Sequence, residues 1–199
     1  MTTRPAPRQR DQHASPGGRR QLGPTEVKRL NRSWRQRTEA RAALLLDSVS
    51  QPYNLGSILR TAAAFGVERA WLCGDTAPPH HPSARRTALG ADRLLTLDFQ
   101  PGRAGVQAAV AAARADGLRV VALELASRAV PLHDAPLDGD ICLAVGHEDR
   151  GCSPWLLAAA DVVAYIPQPG RIGSLNVAAS VAIALAEARG REWRERREP

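Results

Sequence analysis

The residues best suited to chemistry stand in a loop between two apolar runs in the last quarter of the chain. The first run, 162–166, resembles a buried strand, and the second, 177–188, has the length of a helix. Ser174 lies where the N-cap of that helix belongs, and capping alone would account for its hydroxyl. Asn176 falls in the first predicted turn, where asparagine is a poor helix former, so its amide needs another explanation. The loop is also rich in proline and glycine, with Pro167, Pro169, Gly170 and Gly173.

Two earlier stretches also place polar residues directly after apolar runs. Asn54 and Arg60 follow the run 43–47, and Asn54 is well placed as the N-cap of a predicted helix over 54–65. Arg60 need not share the buried stripe of that helix. A guanidinium group is a poor base, because its pKa lies above about 12, but it is well suited to stabilising a developing negative charge. Glu148 stands in the loop after the run 141–145.

Together these stretches resemble the three motifs of the SpoU, or TrmH, family of RNA ribose 2′-O-methyltransferases, which belongs to the SPOUT superfamily. The motifs occur in the family's order, and three ordered motifs are more specific than any one of them. The resemblance spans roughly residues 43–189. Its residues are Asn54-Leu55-Gly56 with Arg60-Thr61-Ala62 in the first motif, Val145-Gly146, Glu148 and Gly151 in the second, and Ile166-Pro167, Gly170 and Ser174-Leu175-Asn176-Val177 in the third.

The resemblance implies transfer of a methyl group from S-adenosyl-L-methionine to a ribose 2′-hydroxyl of tRNA or rRNA. It places Gly146, Ile166 and Leu175 in the cofactor pocket, largely through backbone groups. No GxGxxG pattern follows the first predicted strand, so a Rossmann-type cofactor loop is not expected. Turns rich in glycine and proline after the last two predicted strands would instead let the backbone approach a ligand closely. Composition alone would make Ile166 and Leu175 core residues.

The resemblance also implies a set of catalytic residues. We expect Arg60 to stabilise the alkoxide that develops on the 2′ oxygen, while phosphate of the substrate or water assists loss of the proton. Glu148 is expected either to pair with Arg60 and fix its orientation, or to be a loop carboxylate near a helix start. The remaining residues would bind substrate or orient the arginine. The full set is Asn54, Arg60, Glu148, Ser174 and Asn176.

Strands and helices that could position these residues alternate along the chain. Such alternation indicates an α/β domain with a mostly parallel sheet, and by itself favours a doubly wound fold. The resemblance implies instead the SPOUT-type trefoil knot, and a homodimer formed through the apolar helix 177–188. Ser153 is a predicted N-cap. The predicted strands are 43–47, 70–73, 94–97, 118–123, 141–145 and 162–166. The predicted helices of this domain are 54–65, 106–115, 154–160 and 177–188.

The net charge of +7 is concentrated at the N-terminal end of the 199-residue chain. Residues 1–41 hold 11 Lys or Arg and 3 Asp or Glu, whereas the remaining residues hold 16 and 17. We expect a disordered tail over 1–23 and a basic helix over 25–41, which together form an RNA-binding arm, with 42–199 as the methyltransferase domain. A solvated, solubilising arm is the alternative. The candidate RNA contacts are Lys28, Arg29, Arg32 and Arg35 in the arm, and Arg85 and Arg86 in the later segment 85–91.

Cysteine, histidine and apolar patterns indicate where the protein would work. Three cysteines without CxxC spacing predict free thiols in a reducing compartment, and the pair His80-His81 lacks further ligands, so no metal is expected. No apolar run reaches the length of a membrane span, and no signal-peptide core is present. A cytoplasmic protein is predicted. The cysteines are Cys73, Cys142 and Cys152.

Two other functions stay open. A non-catalytic RNA-binding or ribosome-assembly protein could keep the same fold, but loss of Arg60 or Asn176 would be expected, and both are present. An ordinary nucleotide-binding α/β enzyme is disfavoured by the missing phosphate loop. Between the two RNA classes, the small domain and basic arm slightly favour tRNA, and a ribosomal target, including one linked to antibiotic resistance, stays open.

Overall fold

The computed structural model describes residues 18–196, and it divides the chain into two units after Gln36. Within the first unit, α1 (Pro24–Gln36) confirms the basic helix, although it ends earlier than predicted. Glu26 accepts hydrogen bonds from both terminal nitrogens of Arg20 and from the Gly23 amide. These bonds, the Arg20 contact first, lower the pKa of Glu26 to about 2. Residues 1–17 of the predicted tail lie outside the described residues.

The second unit begins at Arg37 and contains a seven-stranded sheet with helices on both faces. Every pair of neighbouring strands is parallel, in the order β3-β2-β1-β6-β4-β7-β5, which confirms the predicted α/β fold. The trefoil knot stays a prediction. The strands are β1 (Ala42–Asp47), β2 (Arg69–Gly74), β3 (Thr96–Pro101), β4 (Arg119–Leu123), β5 (Val130–Pro131), β6 (Ile141–Val145) and β7 (Val162–Tyr165). The helices are α2 (Pro52–Ala64), α3 (Pro82–Ala88), α4 (Arg103–Ala115), α5 (Pro154–Ala159) and α6 (Val177–Glu195), with a 3₁₀ turn at Ala91–Leu94.

Successive residues of the central strands point to opposite faces of the sheet, and both faces are covered. In β1, Leu44 and Leu46 pack in the same cluster as residues of α2 and α6. Leu45 packs on the other side with residues of α4 and α5. Because β1 is buried along its whole length, its sequence is a continuous apolar run, as is typical of parallel sheets.

Several element boundaries differ from the sequence predictions. Helix α2 begins at Pro52, with Gln51 as N-cap, so the prediction that Asn54 caps this helix is wrong. A proline is favoured at the first helical position because its missing N–H would have no helical partner there. The predicted strand 94–97 is divided between the 3₁₀ turn and β3, and Arg85 and Arg86, for which no element was predicted, lie in helix α3.

Residues 37–41, which were assigned to the arm, lie in the second unit. Arg41 donates a hydrogen bond to Asp140 Oδ2 and another to the Asp116 carbonyl, both of them at the end of the sheet where β1 and β6 begin. Arg189 of α6 is only 3% exposed and donates to the carbonyls of Phe65 and Ala40. The C-terminal half of α6 therefore holds both the end of α2 and the segment that enters β1.

Candidate active site

A cleft of about 470 Å³ opens at the carboxyl ends of three neighbouring strands. The last residues of β4, β6 and β7, which are Leu123, Val145 and Tyr165, all line it. Ligands of open α/β sheets bind at this edge, and the volume lies in the range of small-molecule sites. The predicted cofactor residues Gly146, Ile166 and Leu175 line this cleft, together with Glu148 and Ser174.

The loop that follows β6 is tightly closed on itself. His147 and Gly151 form two backbone hydrogen bonds, with N–O distances of 3.0 and 2.8 Å. A Cβ atom on Gly146 would lie 2.1 Å from the carbonyl carbon of Gly151 and 2.2 Å from the Cys152 nitrogen. Because both contacts are with backbone atoms, only glycine fits at 146 without moving the loop. Gly146 thus has a packing role in addition to its place in the cleft wall.

Glu148 connects this loop to the start of α2. One carboxylate oxygen accepts hydrogen bonds from the Ser50 amide and hydroxyl, each at 3.1 Å. The other accepts from the Gln51 amide at 3.0 Å and from Asn54 Nδ2 at 2.9 Å. Burial raises the pKa of Glu148, but the bonds from Asn54 and from backbone amides outweigh it, so the pKa is lowered overall. Glu148 is therefore an ionised anchor for the α2 N-terminus and a weak base.

A second bond extends this connection to the third motif. Asn176 Nδ2 donates to Asn54 Oδ1 at 2.9 Å, while Asn176 Oδ1 accepts from the amides of Ala178 and Ala179. Asn176 is thus the N-cap of α6, which explains a residue that helix propensity could not. The prediction that Ser174 holds this position is wrong. Ser174 is exposed in the cleft wall.

Three of the five predicted catalytic residues therefore form one hydrogen-bonded chain, Glu148–Asn54–Asn176. Arg60 is not part of it. Its side chain is exposed on α2, and within residues 18–196 it makes none of the observed hydrogen bonds or ion pairs. The expectation that Glu148 pairs with Arg60 is therefore wrong. The alternative, that Glu148 is a loop carboxylate near a helix start, is confirmed.

The predicted RNA contacts lie on two helices. Arg85 and Arg86 are exposed in the last turn of α3. Helix α3 packs very closely on α2, because a Cβ on Gly56 would lie 1.9 Å from Thr87 Oγ1 and 2.2 Å from the Ala84 carbonyl oxygen. In the first unit, the exposed basic side chains of α1 are Lys28, Arg29, Arg32 and Arg35.

Sequence reasoning missed three residues around the cleft: Asp47, Ser50 and Glu124. Ser50 binds Glu148, as described above. Asp47 is the last residue of β1 and Glu124 follows β4 directly, so both stand where a buried apolar run ends in a carboxylate. That pattern at the end of a parallel strand could have identified them.

Within the described part of the chain, no group of three His, Cys, Asp or Glu residues could hold a metal ion. All three cysteines are buried free thiols, and burial raises the pKa of Cys73 to about 12. No helix among residues 18–196 has the length and apolar character of a membrane span.

The chain is similar to known methyltransferases. Residues 41–186 match the SpoU rRNA Methylase family. The chain is 31% identical over 153 residues to the 23S rRNA (guanosine-2′-O-)-methyltransferase RlmB of Acinetobacter baylyi, which covers 77% of this chain and 61% of that protein. It is 33% identical over 151 residues to a 23S rRNA guanosine 2′-O-methyltransferase, RlmP of Bacillus subtilis, covering 76% and 59%. The chain thus spans about three fifths of the length of these curated relatives.

Solved structures give the same picture. An rRNA methyltransferase from Sinorhizobium meliloti, bound to AdoMet, has a TM-score of 0.70 and 32% identity over 77% of this chain and 57% of its own. The SpoU methyltransferase AviRb from Streptomyces viridochromogenes, in complex with AdoMet, has a TM-score of 0.70 and 27% identity over 81% of this chain and 63% of its own.

Proposed function

The chain belongs to the SpoU rRNA methylase family, as its three motifs predicted, and we propose that it methylates a ribose 2′-hydroxyl of RNA with AdoMet as methyl donor. The observation that carries this proposal is the series of hydrogen bonds that links Glu148, Asn54 and Asn176. It joins one residue from each motif beside a cleft at the carboxyl ends of the strands. The relatives named above support the same chemistry.

The cleft suits AdoMet in position, size and lining. It is open, has about 470 Å³ of space, and is lined by both polar and apolar residues. Gly146 and Leu175 would approach the cofactor through their backbone, and Ile166 would supply an apolar wall beside Tyr165. When bound, the cofactor supplies an electrophilic methyl group on a sulfonium sulfur. Little covalent work is then left to the protein, which has to place the 2′-hydroxyl in line with that methyl.

In this proposal Arg60 is the catalytic side chain, because it stands at the arginine position of the first motif. Its guanidinium is exposed and has no partner among the described residues. It would stabilise the negative charge that develops on the 2′ oxygen. Glu148 would not act as the base, since its four hydrogen bonds favour the ionised form and occupy both oxygens. Asn54 and Asn176 would hold the third-motif loop against α2, with Ser174 exposed in that loop to contact ribose or cofactor.

For the substrate we propose rRNA, with a guanosine as the modified nucleotide. This departs from the slight preference for tRNA that the small domain and basic arm suggested. It rests on the curated relatives, which are named as 23S rRNA guanosine methyltransferases. The exposed arginines of α3 and the basic side chains of α1 would contact phosphates. The predicted homodimer through α6 and the cytoplasmic location belong to the same proposal.

The test is transfer of labelled methyl from AdoMet to separate transcripts of 23S rRNA, 16S rRNA and tRNA. We expect label in 23S rRNA, lost in Arg60→Ala and kept in Arg103→Ala, which removes an equally exposed arginine from α4 on the opposite face of the sheet. Label in tRNA alone would refute the substrate class. A native protein that binds RNA but not AdoMet would support the alternative, a non-catalytic RNA-binding protein.

A further inference from the structure

Two acidic residues outside the three motifs flank the strand that leads into the second motif. In the sheet order β1-β6-β4, Asp47 ends β1 and Glu124 follows β4. The strand between them, β6, continues into residues 146–153, which we call the clamped loop. Each carboxylate therefore lies on one side of the loop that carries Glu148.

The two carboxylates accept hydrogen bonds from consecutive amides at the end of the clamped loop. Glu124 Oε2 accepts from the Cys152 amide at 2.8 Å, and Asp47 Oδ2 accepts from the Ser153 amide at 3.0 Å. Hydrogen bonds to ionised acceptors are about twice as strong as neutral ones. Both charges also contribute to the raised pKa of the Cys152 thiol, after its burial.

The geometry of the loop leaves these amides little freedom. Gly151 has a φ of +67°, and a Cβ there would lie 2.1 Å from Glu124 Oε2, so the carboxylate packs directly on the glycine. Gly151 also pairs with His147. Ser153 begins α5 as its N-cap, with its hydroxyl accepting from the Leu156 amide. Glu124 and Asp47 thus fix the point where the loop closes and the next helix starts.

We propose that Asp47 and Glu124 are positioning residues that hold the clamped loop in the one arrangement where Gly146 forms the cleft wall and Glu148 reaches the start of α2. The role in cofactor binding rests on the proposed function, whereas the clamping of the loop does not. Neither residue has to touch a reacting atom. Asp47 is 3% exposed, while Glu124 lines the cleft.

The hydrogen-bond partners predict that the two carboxylates respond differently to conversion into amides. The two oxygens of Glu124 accept hydrogen bonds from the backbone N–H groups of Cys152 and Leu125. In Glu124→Gln, the side-chain NH₂ must therefore face one of these two N–H groups, and that hydrogen bond is lost. The second oxygen of Asp47 accepts from the Ser48 hydroxyl, and that hydroxyl oxygen can itself accept a hydrogen bond. Asp47→Asn can therefore keep both contacts. The two substitutions remove the same charge.

Amide hydrogen exchange, resolved by residue and measured without RNA or cofactor, separates these outcomes. In Glu124→Gln, we expect protection at Cys152 or Leu125 to fall roughly tenfold or more. The Ser153 amide should keep its protection in Asp47→Asn and lose that protection in Asp47→Ala. Amides of Leu44 to Leu46 in β1 report global stability in each variant. Unchanged protection at both Cys152 and Leu125 in Glu124→Gln, with β1 equally protected, would overturn the proposal even if Asp47→Ala fails to fold.

Calorimetric titration with AdoMet then tests the consequence for the cleft. Glu124→Gln should weaken binding roughly tenfold. The control is Glu68→Gln, which removes a charge from an exposed residue before β2, at the opposite end of the sheet. Native affinity in Glu124→Gln, despite weaker amide protection, would refute the positioning role. If the native protein binds no AdoMet, the proposed function fails, and the exchange data still decide whether the clamp exists.

Discussion

The contact between Asn54 and Glu148 allows a test in which shape is kept and only charge changes. Asn54 Nδ2 donates to Glu148 Oε1 at 2.9 Å. Asn54→Asp replaces that donor with an oxygen, so that two carboxylates face each other. Asn176 can still donate to residue 54, because its partner is the other oxygen of that side chain. The substitution therefore acts mainly on the bond to Glu148.

The expected cost follows from the distance between the charges. Two unit charges about 4 Å apart repel by about 4 kcal/mol at an effective dielectric constant of 20. Glu148 is half-buried, so we expect water to screen roughly half of this repulsion. The start of α2 favours a carboxylate at residue 54 by less than about 1 kcal/mol, while removal of the hydrogen bond costs a similar amount. The free energy of unfolding should fall by about 2 kcal/mol at neutral pH.

The same repulsion should appear as a dependence on pH. A cost of about 2 kcal/mol corresponds to an upward shift of about 1.5 in the pKa of one carboxyl of the pair. A carboxyl whose pKa is raised by folding is protonated in both states below its unfolded pKa, near 4, and stability is lost as pH rises through the folded value. Asn54→Asp should therefore match the native protein near pH 4 and show its full deficit above about pH 6.5.

Urea unfolding at several pH values, with Glu148→Gln and the double variant, measures this coupling. The double variant differs from Asn54→Asp alone by the charge at residue 148 and by an NH₂ group in place of an oxygen that accepts from the Ser50 or Gln51 amide, a change that Glu148→Gln alone measures. In the Glu148→Gln background, the new amide can donate to the carboxylate at position 54, so the second substitution should cost little. A deficit of equal size at every pH, or one that persists with Glu148→Gln, would refute the electrostatic explanation.

Three further experiments test other predicted roles. Gly146→Ala should lower the free energy of unfolding, measured by denaturant titration, by about 1–3 kcal/mol, because the new Cβ would meet the backbone of Gly151. The control is Gly170→Ala, since a Cβ on Gly170 would have no atom within 4 Å. Arg60→Ala should reduce kcat about 100-fold or more while AdoMet affinity and stability stay within error, and a parallel loss of AdoMet affinity would contradict its assignment. Replacing the basic residues of α1 by alanine should make the plot of log RNA affinity against log salt concentration less steep. Its slope should change by about 0.7–0.9 for each phosphate that the helix no longer neutralises. An unchanged slope would support an arm that is only solubilising. These residues are Lys28, Arg29, Arg32 and Arg35.

Strands and motifs were readable from the sequence because their signals are local. The apolar runs of β1 and β6 lie within one residue of their predicted positions, and Ser153 caps α5 as its place before Pro154 indicated. The parallel sheet follows from the alternation of strands and helices. By contrast, the 3₁₀ turn and α3 have too few apolar residues for a clear period. Part of the 3₁₀ turn was therefore predicted as strand, and α3 was not predicted.

The starts of α2 and α6 were predicted less well, for two different reasons. The first amides near α2 are bound by Glu148, almost a hundred residues later, so no local pattern could assign that role. Pro52 was the local sign of the true start. At α6, two candidate caps stand close together, and the structure selects Asn176, whose amide can cap the helix and reach Asn54 at once. Ser174 instead stands two residues before this cap and is exposed in the cleft wall.

The hydrogen bonds across the three motifs have one direction, which is fixed at both ends. An ionised carboxylate only accepts, so Asn54 must turn its NH₂ toward Glu148 and its oxygen toward Asn176. Asn176 must then donate its own NH₂ and keep its oxygen for the amides of α6. The amides of Ala178 and Ala179 can only donate, so the α6 end requires the same orientation of Asn176. Asn54 of the first motif thus connects an acceptor in the second motif to donors at the start of α6, and both ends favour the same orientation of the two amide side chains.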